Sequence, residues 1–225
     1  MVMSLQGTDQ LSSWARQPRQ ARSQETMLRF LEATEELLAE RSFDQLSVAD
    51  IVERAGRTVG SFYARFEDKY AVLHILADRI DEEICSVIAD FADPRRWEGR
   101  SLAAVVRGFA ELTVQWYRTT GPVFQAATAY AASNPSFRDQ RVPTFRFCAD
   151  CFKRLVLLRV EELGHPEPER AADLAFEALI GVLDHRLVFG EFTATTASND
   201  AQLVDEMEEL VSGVLRIPAR NTAST

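Results

Sequence analysis

The sequence predicts an all-α protein, and three observations carry that expectation. Apolar residues recur at helical spacing along most of the chain, as in Val48, Ile51, Val52 and Ala55 at i, i+3, i+4 and i+7. No stretch alternates apolar and polar residues as a half-buried strand would. The breaks between periodic stretches fall at helix-ending residues: Gly56, Gly121-Pro122, Asn134-Pro135, Gly164-His165-Pro166 and Gly190. There is no internal repeat. A length of 225 residues is enough for one large core or for a small domain followed by a larger one.

In chain order, residues 1–21 are rich in Gln, Ser and Arg without periodicity and read as a flexible arm. From Ser23, the positions Met27, Phe30, Leu31, Thr34, Leu37 and Leu38 mark a first helix, with Glu32, Glu35, Glu36 and Glu40 solvated. Arg41-Ser42-Phe43-Asp44 ends it, Phe43 being placed to plug a small core. Ser47 then stands before the apolar stripe with Asp50 three residues on, a near relative of the capping box, and Leu46 and Ile51 occupy hydrophobic-staple positions. Gly56 supplies a tight turn. Thr58 caps a second short helix whose Val59, Phe62 and Phe66 are spaced to pack back on the first. Two short helices around a Gly-containing turn are the pattern of a helix-turn-helix.

The remaining elements are longer. Asp68 caps a helix running to about Phe91, with Leu73, Leu76, Ile80, Ile84 and Val87 inward. Asp93 to Gly99 is a loop by its Pro and Gly. Ser101 caps a helix with Leu102, Val105, Phe109, Leu112 and Trp116 inward, stopped by Gly121-Pro122. A shorter Ala-rich helix covers Val123 to Ser133. Another runs from about Phe137 to Leu163, bent or interrupted near Pro143. A helix from about Pro168 to Phe189 is apolar nearly all round, so it needs partners on more than one side. A polar loop from Thr193 to Asn199 leads to a last helix, Asp200 to Arg216.

The stretch Ala55 to Val72, AGRTVGSFYARFEDKYAV, resembles the signature of the TetR family of transcriptional regulators, A-G-x-[ST]-x-G-x-[LF]-Y-x-[HY]-F-x-x-K-x-x-L. Ala55, Gly56, Thr58, Gly60, Phe62, Tyr63, Phe66 and Lys69 match in register. The chain departs from the pattern at Arg57, more often a small apolar residue, at Arg65, commonly His or an aromatic, and at Val72, usually Leu. The likeness runs over residues 22 to 75. It implies a three-helix DNA-binding domain, residues 22–68, and a helical-bundle domain, residues 69–218, that binds a small molecule and forms a homodimer through the last two long helices, with a disordered tail at 219–225. From periodicity alone, burial of those last helices is equally consistent with ordinary core.

Composition bounds the alternatives. No run of 18 apolar residues exists to span a membrane, the first twenty residues lack the apolar centre of a secretory signal, and three cysteines make no disulfide framework, so a cytoplasmic location is expected. The net charge of −9 is unusual for a nucleic-acid binder. It is unevenly placed: up to Phe66 there are eight basic and nine acidic residues, which leaves 17 basic and 25 acidic beyond. Arg54, Arg57, Arg65 and Lys69 surround the turn, and a local basic face can bind phosphate on an acidic protein.

Within the motif, the second helix would enter the major groove. Arg57, Thr58 and Ser61 are candidates for base or near-base contacts, Gly60 for close backbone approach, and Tyr63, Lys69 and Ser47 for phosphate contacts. The arginines read equally well, one by one, as solvated surface. Arg16, Arg19 and Arg22 could reach a minor groove or belong to a disordered tail. Cys148-x-x-Cys151 puts two thiols on one helical face without the further ligands a metal needs, and its flanking Phe147 and Phe152 favour burial over a redox role. Glu162-x-x-His165 has half the spacing of a di-iron motif, but Gly164 ends the helix there. No metal or other cofactor is expected.

For a small-molecule pocket, the candidates implied by the resemblance are Phe109, Trp116, Tyr117, Phe124, Tyr130, Phe152, Phe176 and His185, most of which serve equally as core. The expected function is that of a non-enzymatic regulator: a repressor that binds a palindromic operator as a homodimer and is released by an effector. The alternative is an all-α enzyme or carrier using the second domain's cavity. It would need a nucleophile–base pair or a metal set, and neither is found in the sequence.

Overall fold

The computed structural model describes residues 21–189 and 199–218, so the N-terminal arm, most of the Thr193–Asn199 loop and the C-terminal tail lie outside the described residues. Among those residues every regular element is helical. In order they are α1 (Ala21–Leu38), α2 (Val48–Arg54), α3 (Val59–Tyr63), α4 (Lys69–Phe91), α5 (Leu102–Ser133), α6 (Pro135–Leu157), α7 (Pro168–Phe189) and α8 (Asp200–Leu215), with 3-10 turns at Phe43–Gln45, Pro94–Trp97 and Val160–Glu162. No helix is long and apolar enough to cross a membrane.

Packing divides the chain into two compact units. The first comprises the described residues up to Glu82 together with Pro122–Arg138. The second comprises Glu83–Gly121 and the described residues from Asp139 on. The first unit is therefore larger than the motif: it takes in the start of α4 and the turn of chain from the end of α5 into α6.

Its core is aromatic. Phe30 of α1 meets Phe62 and Phe66 edge-on, at centroid distances of 5.3 and 5.9 Å, and the latter two lie 5.0 Å apart. Leu31, Leu37, Phe43, Leu46, Ile51 and Val52 close around them, Phe43 being the expected plug. Two rigid rings per contact fill volume with few rotamers to freeze, which suits a domain of short helices. A second ring cluster, Tyr70 stacked on Tyr130 at 4.9 Å with His74 and Phe137 beside them, fastens residues 122–138 to α4.

The core of the second unit gathers Phe91, Trp97, Phe109, Phe152 and Phe176 with Leu102, Val105, Leu155, Leu179, Leu183, Met207 and Val211. Two close approaches shape it. A Cβ on Gly108 would lie 2.5 Å from the Trp97 ring, whose indole N–H donates to the Phe91 carbonyl at 2.7 Å. A Cβ on Gly164 would lie 2.6 Å from the carbonyl oxygen of Arg216, the residue that closes α8 with φ +54°.

Three sequence expectations, on Pro122 and on the two ends of α6, are corrected. Gly121-Pro122 does not stop a helix: α5 continues through it to Ser133, with Pro122 inside. The missing N–H costs about 3 kcal/mol. Burial on both sides offsets it, of Leu102, Val105 and Phe109 in the second unit's core and of Val123 and Ala126 in the first's. Pro143 likewise lies within α6. That helix starts two residues earlier than expected, because Asn134 caps it, accepting from the Phe137 N–H at 3.1 Å, and Pro135 takes the first helical position. It also ends earlier, at Leu157. Arg159 leaves the helical conformation (φ −132°, ψ 36°) and donates to the carbonyls of Trp97 and Arg100 at 2.6 and 2.8 Å.

Candidate nucleic-acid interface

The helix-turn-helix is built as its sequence implies, with α2 and α3 held at their starts by side chains. Ser47 Oγ accepts from the Asp50 N–H at 3.2 Å while Asp50 accepts from the Ser47 N–H at 2.8 Å, a complete capping box. The Ser47 hydroxyl, which donates to the Asp50 carboxylate at 2.5 Å, then the Ser47 N–H, and last the Arg41 guanidinium 3.3 Å away hold the Asp50 carboxyl below its ordinary range. The turn then passes through Gly56 at φ +61°, a conformation an L side chain rarely adopts. Thr58 Oγ1 accepts from the Ser61 N–H at 3.2 Å and starts α3.

The side chains on this surface are more engaged than the sequence suggested. Ser47's hydroxyl is held in its cap, and that of Ser61 donates to the Thr58 carbonyl at 2.7 Å. Arg54 donates to Glu40 at 2.9 Å and to Glu36 at 3.3 Å, on the outer side of α1. Arg65 donates to the Ser61 carbonyl at 2.7 Å and to the Ser23 carbonyl and hydroxyl at 3.2 Å. The expected basic face is thus largely engaged within the protein, and among its described residues only Arg54 is closely paired with carboxylates. Arg57 is the loosest of the group, its guanidinium 3.8 Å from Glu25. Tyr63 is half exposed, its ring edge-on to Phe62 at 5.5 Å.

Two residues stand elsewhere than expected. Lys69, expected at a phosphate, turns inward. Its Nζ donates to the carbonyls of Leu46, Phe43 and Asp44 at 2.7, 3.0 and 3.3 Å and sits over the Phe43 ring. Three carbonyls use all three ammonium donors, so Lys69 clamps the turn that precedes α2. Val59, expected to pack against α2, is instead 49% exposed. Phe62 and Phe66 already fill the space between the helices, and one more inward side chain on a five-residue helix finds no room.

The candidate ligand residues divide between the units. Phe109, Phe152 and Phe176 form one buried ring cluster, with centroids 4.5 to 6.2 Å apart. Trp116 is buried in the same unit. Tyr117 donates a hydrogen bond to the Asp184 carboxylate, and both are largely buried. Burial pushes the Asp184 carboxyl up, opposed by that bond, and raises the Tyr117 phenol far above its usual value. Phe124 and Tyr130 belong to the first unit, Tyr130 in the Tyr70 stack. His185, a candidate for the pocket, is exposed on α7 in the single chain. Asp184, its neighbour in sequence, is the inward residue that sequence reasoning missed; an acid directly after the uncharged run Ala178 to Leu183 was the available signal.

Cys148 and Cys151 are buried, and burial raises the Cys151 thiol, which disfavours the reactive thiolate. Glu162 accepts from the Leu102 N–H at 2.9 Å and so caps α5, which accounts for it without a metal.

Residues 30–75 match the family model described as bacterial regulatory proteins, tetR family. Among curated proteins, an HTH-type transcriptional regulator of Bacillus subtilis, YvdT, is 35% identical over 52 residues, covering 23% of this chain and 27% of its own length. Among solved structures, a bacterial regulatory protein in the tetR family from Rhodococcus RHA1 superposes with a TM-score of 0.69 at 14% identity, over 87% of this chain and 99% of its own. PfmR, a TetR family transcriptional regulator from Thermus thermophilus, gives 0.64 at 16% identity, over 85% and 100%. The structural likenesses establish the fold over nearly the whole chain, and the sequence matches fall on the helix-turn-helix. The helix-turn-helix is thus similar to that of the tetR family of bacterial regulatory proteins, and the chain shares the fold of solved members of that family.

Proposed function

We propose that the protein is a repressor that binds a palindromic operator as a homodimer, one helix-turn-helix in each half-site, and lets go when a small molecule binds the second unit. The observation that carries this reading is the outer face of α3. It presents Thr58, Val59, Gly60 and Tyr63 to solvent on a helix whose other side is locked into a ring core. In a helix-turn-helix that face enters the major groove. Arg57, Thr58 and Ser61 are the proposed base or near-base contacts, Gly60 permits close approach, and Tyr63 and Ser47 serve phosphates.

The last two long helices, α7 and α8, are the proposed dimer surface, on which Leu174 leaves an apolar side chain half exposed in the single chain. Phe109, Trp116, Tyr117, Phe152 and Phe176 of the second unit are the proposed effector-responsive set. Release then follows if the effector binds better to a conformation whose two heads no longer fit the operator.

The test is selection of random duplex DNA by the purified protein, with sequencing of the bound pool. Enrichment of a palindrome supports specific dimeric recognition and supplies the probe for effector screening by DNA release. No enrichment at low salt defeats the reading. Sedimentation of the free protein checks the dimer separately.

A further inference from the structure

The first turn of α3 sets Val59 apart from its neighbours. Phe62 and Phe66 point into the core, whereas Val59 stands half in solvent. The polar side chains around it are engaged with the protein itself: Thr58 and Ser61 bond each other's backbone, and Arg57 lies near Glu25. Gly60, the next residue, has no side chain, and a Cβ built there would meet nothing within 4 Å. Val59 therefore presents a bare isopropyl group beside an open position, on the face proposed to meet DNA.

From this placement we propose that Val59 reads the 5-methyl group of a thymine in the major groove and is a specificity-determining residue of the interface. The proposal rests on the operator-binding function above. An isopropyl group neither donates nor accepts a hydrogen bond, so it cannot distinguish the donors and acceptors of the base edges. The thymine methyl is the apolar feature of that edge, and cytosine carries only hydrogen at the same carbon. Branching at Cβ restricts χ1, so Val59 meets the methyl with little side-chain ordering to be done on binding. The open space at Gly60 removes the bulk that would otherwise hold Val59 away from the base.

The experiment uses the full-length protein and its selected operator. Each thymine of a half-site is replaced in turn by deoxyuridine, which deletes the methyl and leaves the pairing edge unchanged. At one thymine per half-site the wild type should lose about fourfold in affinity per methyl, the factor that corresponds to about 0.8 kcal/mol for one apolar carbon. At that position Val59→Ala should bind the thymine and uracil operators equally, and because Val59 is exposed the variant should melt with the wild type. Wild-type indifference to uracil at every thymine overturns the proposal and leaves operator binding standing. So does a Val59→Ala protein that keeps the full sensitivity. Failure to select any operator overturns both readings.

Discussion

In the first unit the helices are joined mainly by rings: Phe30, Phe62 and Phe66 at one end, and Tyr70, His74, Tyr130 and Phe137 at the other. Polar side chains cross between helices in both units: in the first they are solvent-exposed pairs such as Arg54 with Glu36, whereas in the second, which also has a ring core, they include partly buried ones. Arg107 of α5 reaches Asp205 and Glu208 of α8 at 3.0 and 2.6 Å. Arg118 of α5 reaches Asp200 at 2.7 Å, Arg186 of α7 reaches Glu206 of α8 at 2.6 Å, and Tyr117 of α5 reaches Asp184 of α7. Ring contacts are short-ranged and depend on a close fit. Charge pairs change with pH, with salt and with any ligand that competes for one partner. The partly buried pairs of the second unit therefore couple its helices to pH and to competing ligands more closely than the exposed, salt-screened pairs of the first can.

The sharpest way to break that contrast is to remove a ring from the first unit. Phe62→Ala should cost about 3–5 kcal/mol in denaturant unfolding, because a fully buried aromatic leaves a cavity that short helices cannot close. A loss below about 1 kcal/mol would mean that the ring core is not what holds the unit.

Next comes Gly108→Ala in the second unit. Helix propensity alone favours alanine by about 1 kcal/mol. The Trp97 ring, anchored through its indole N–H, stands where the methyl must go. A net destabilisation of about 1–3 kcal/mol is expected in the same measurement, from overpacking.

Lys69→Met should cost about 2 kcal/mol, since three backbone carbonyls lose a charged donor. It should leave the salt dependence of operator binding unchanged. A salt slope shallower by about one would instead return Lys69 to a phosphate.

The Tyr117–Asp184 pair gives a smaller, pH-dependent effect. Burial raises the folded-state pKa of Asp184, so the folded protein keeps that proton to higher pH than the unfolded chain does. Its contribution is then most favourable on the acid side, and stability declines as pH rises from the ordinary carboxylate range through the raised value. Asp184→Asn should flatten that decline in thermal melts. Tyr117→Phe, which removes a bond favouring the ionised form, should move the decline to higher pH. The smallest effect is expected from Arg54→Ala: its pairs with Glu36 and Glu40 are exposed and salt-screened, so melting should be unchanged at physiological ionic strength.

How much of this was legible beforehand depends on the range of the interaction concerned. The capping box at Ser47 and Asp50, the positive φ at Gly56 and the Thr58 and Asp68 caps involve residues at most three apart, and their chemistry is written in adjacent letters. The exposure of Val59, the inward turn of Asp184 and the groups that hold Lys69 and Arg54 were not legible, because they depend on partners 14 to 67 residues away, or on space already taken. Lys69 carries the right charge for a phosphate, and only the three carbonyls that converge on it show where that charge is used. Pro122 is a helix breaker by its own chemistry, and only burial on both sides of it keeps α5 whole.

By itself, then, the sequence determined the all-α class, the helix-turn-helix and the family that domain resembles, because these follow from periodicity, caps and turn geometry, which act over a few residues. The tertiary structure alone decided which side chains face outward on α3, where each helix ends, and which polar groups are buried in the second unit. Those outcomes are settled by competition for interior volume and by hydrogen-bond partners far along the chain, and no local pattern records either.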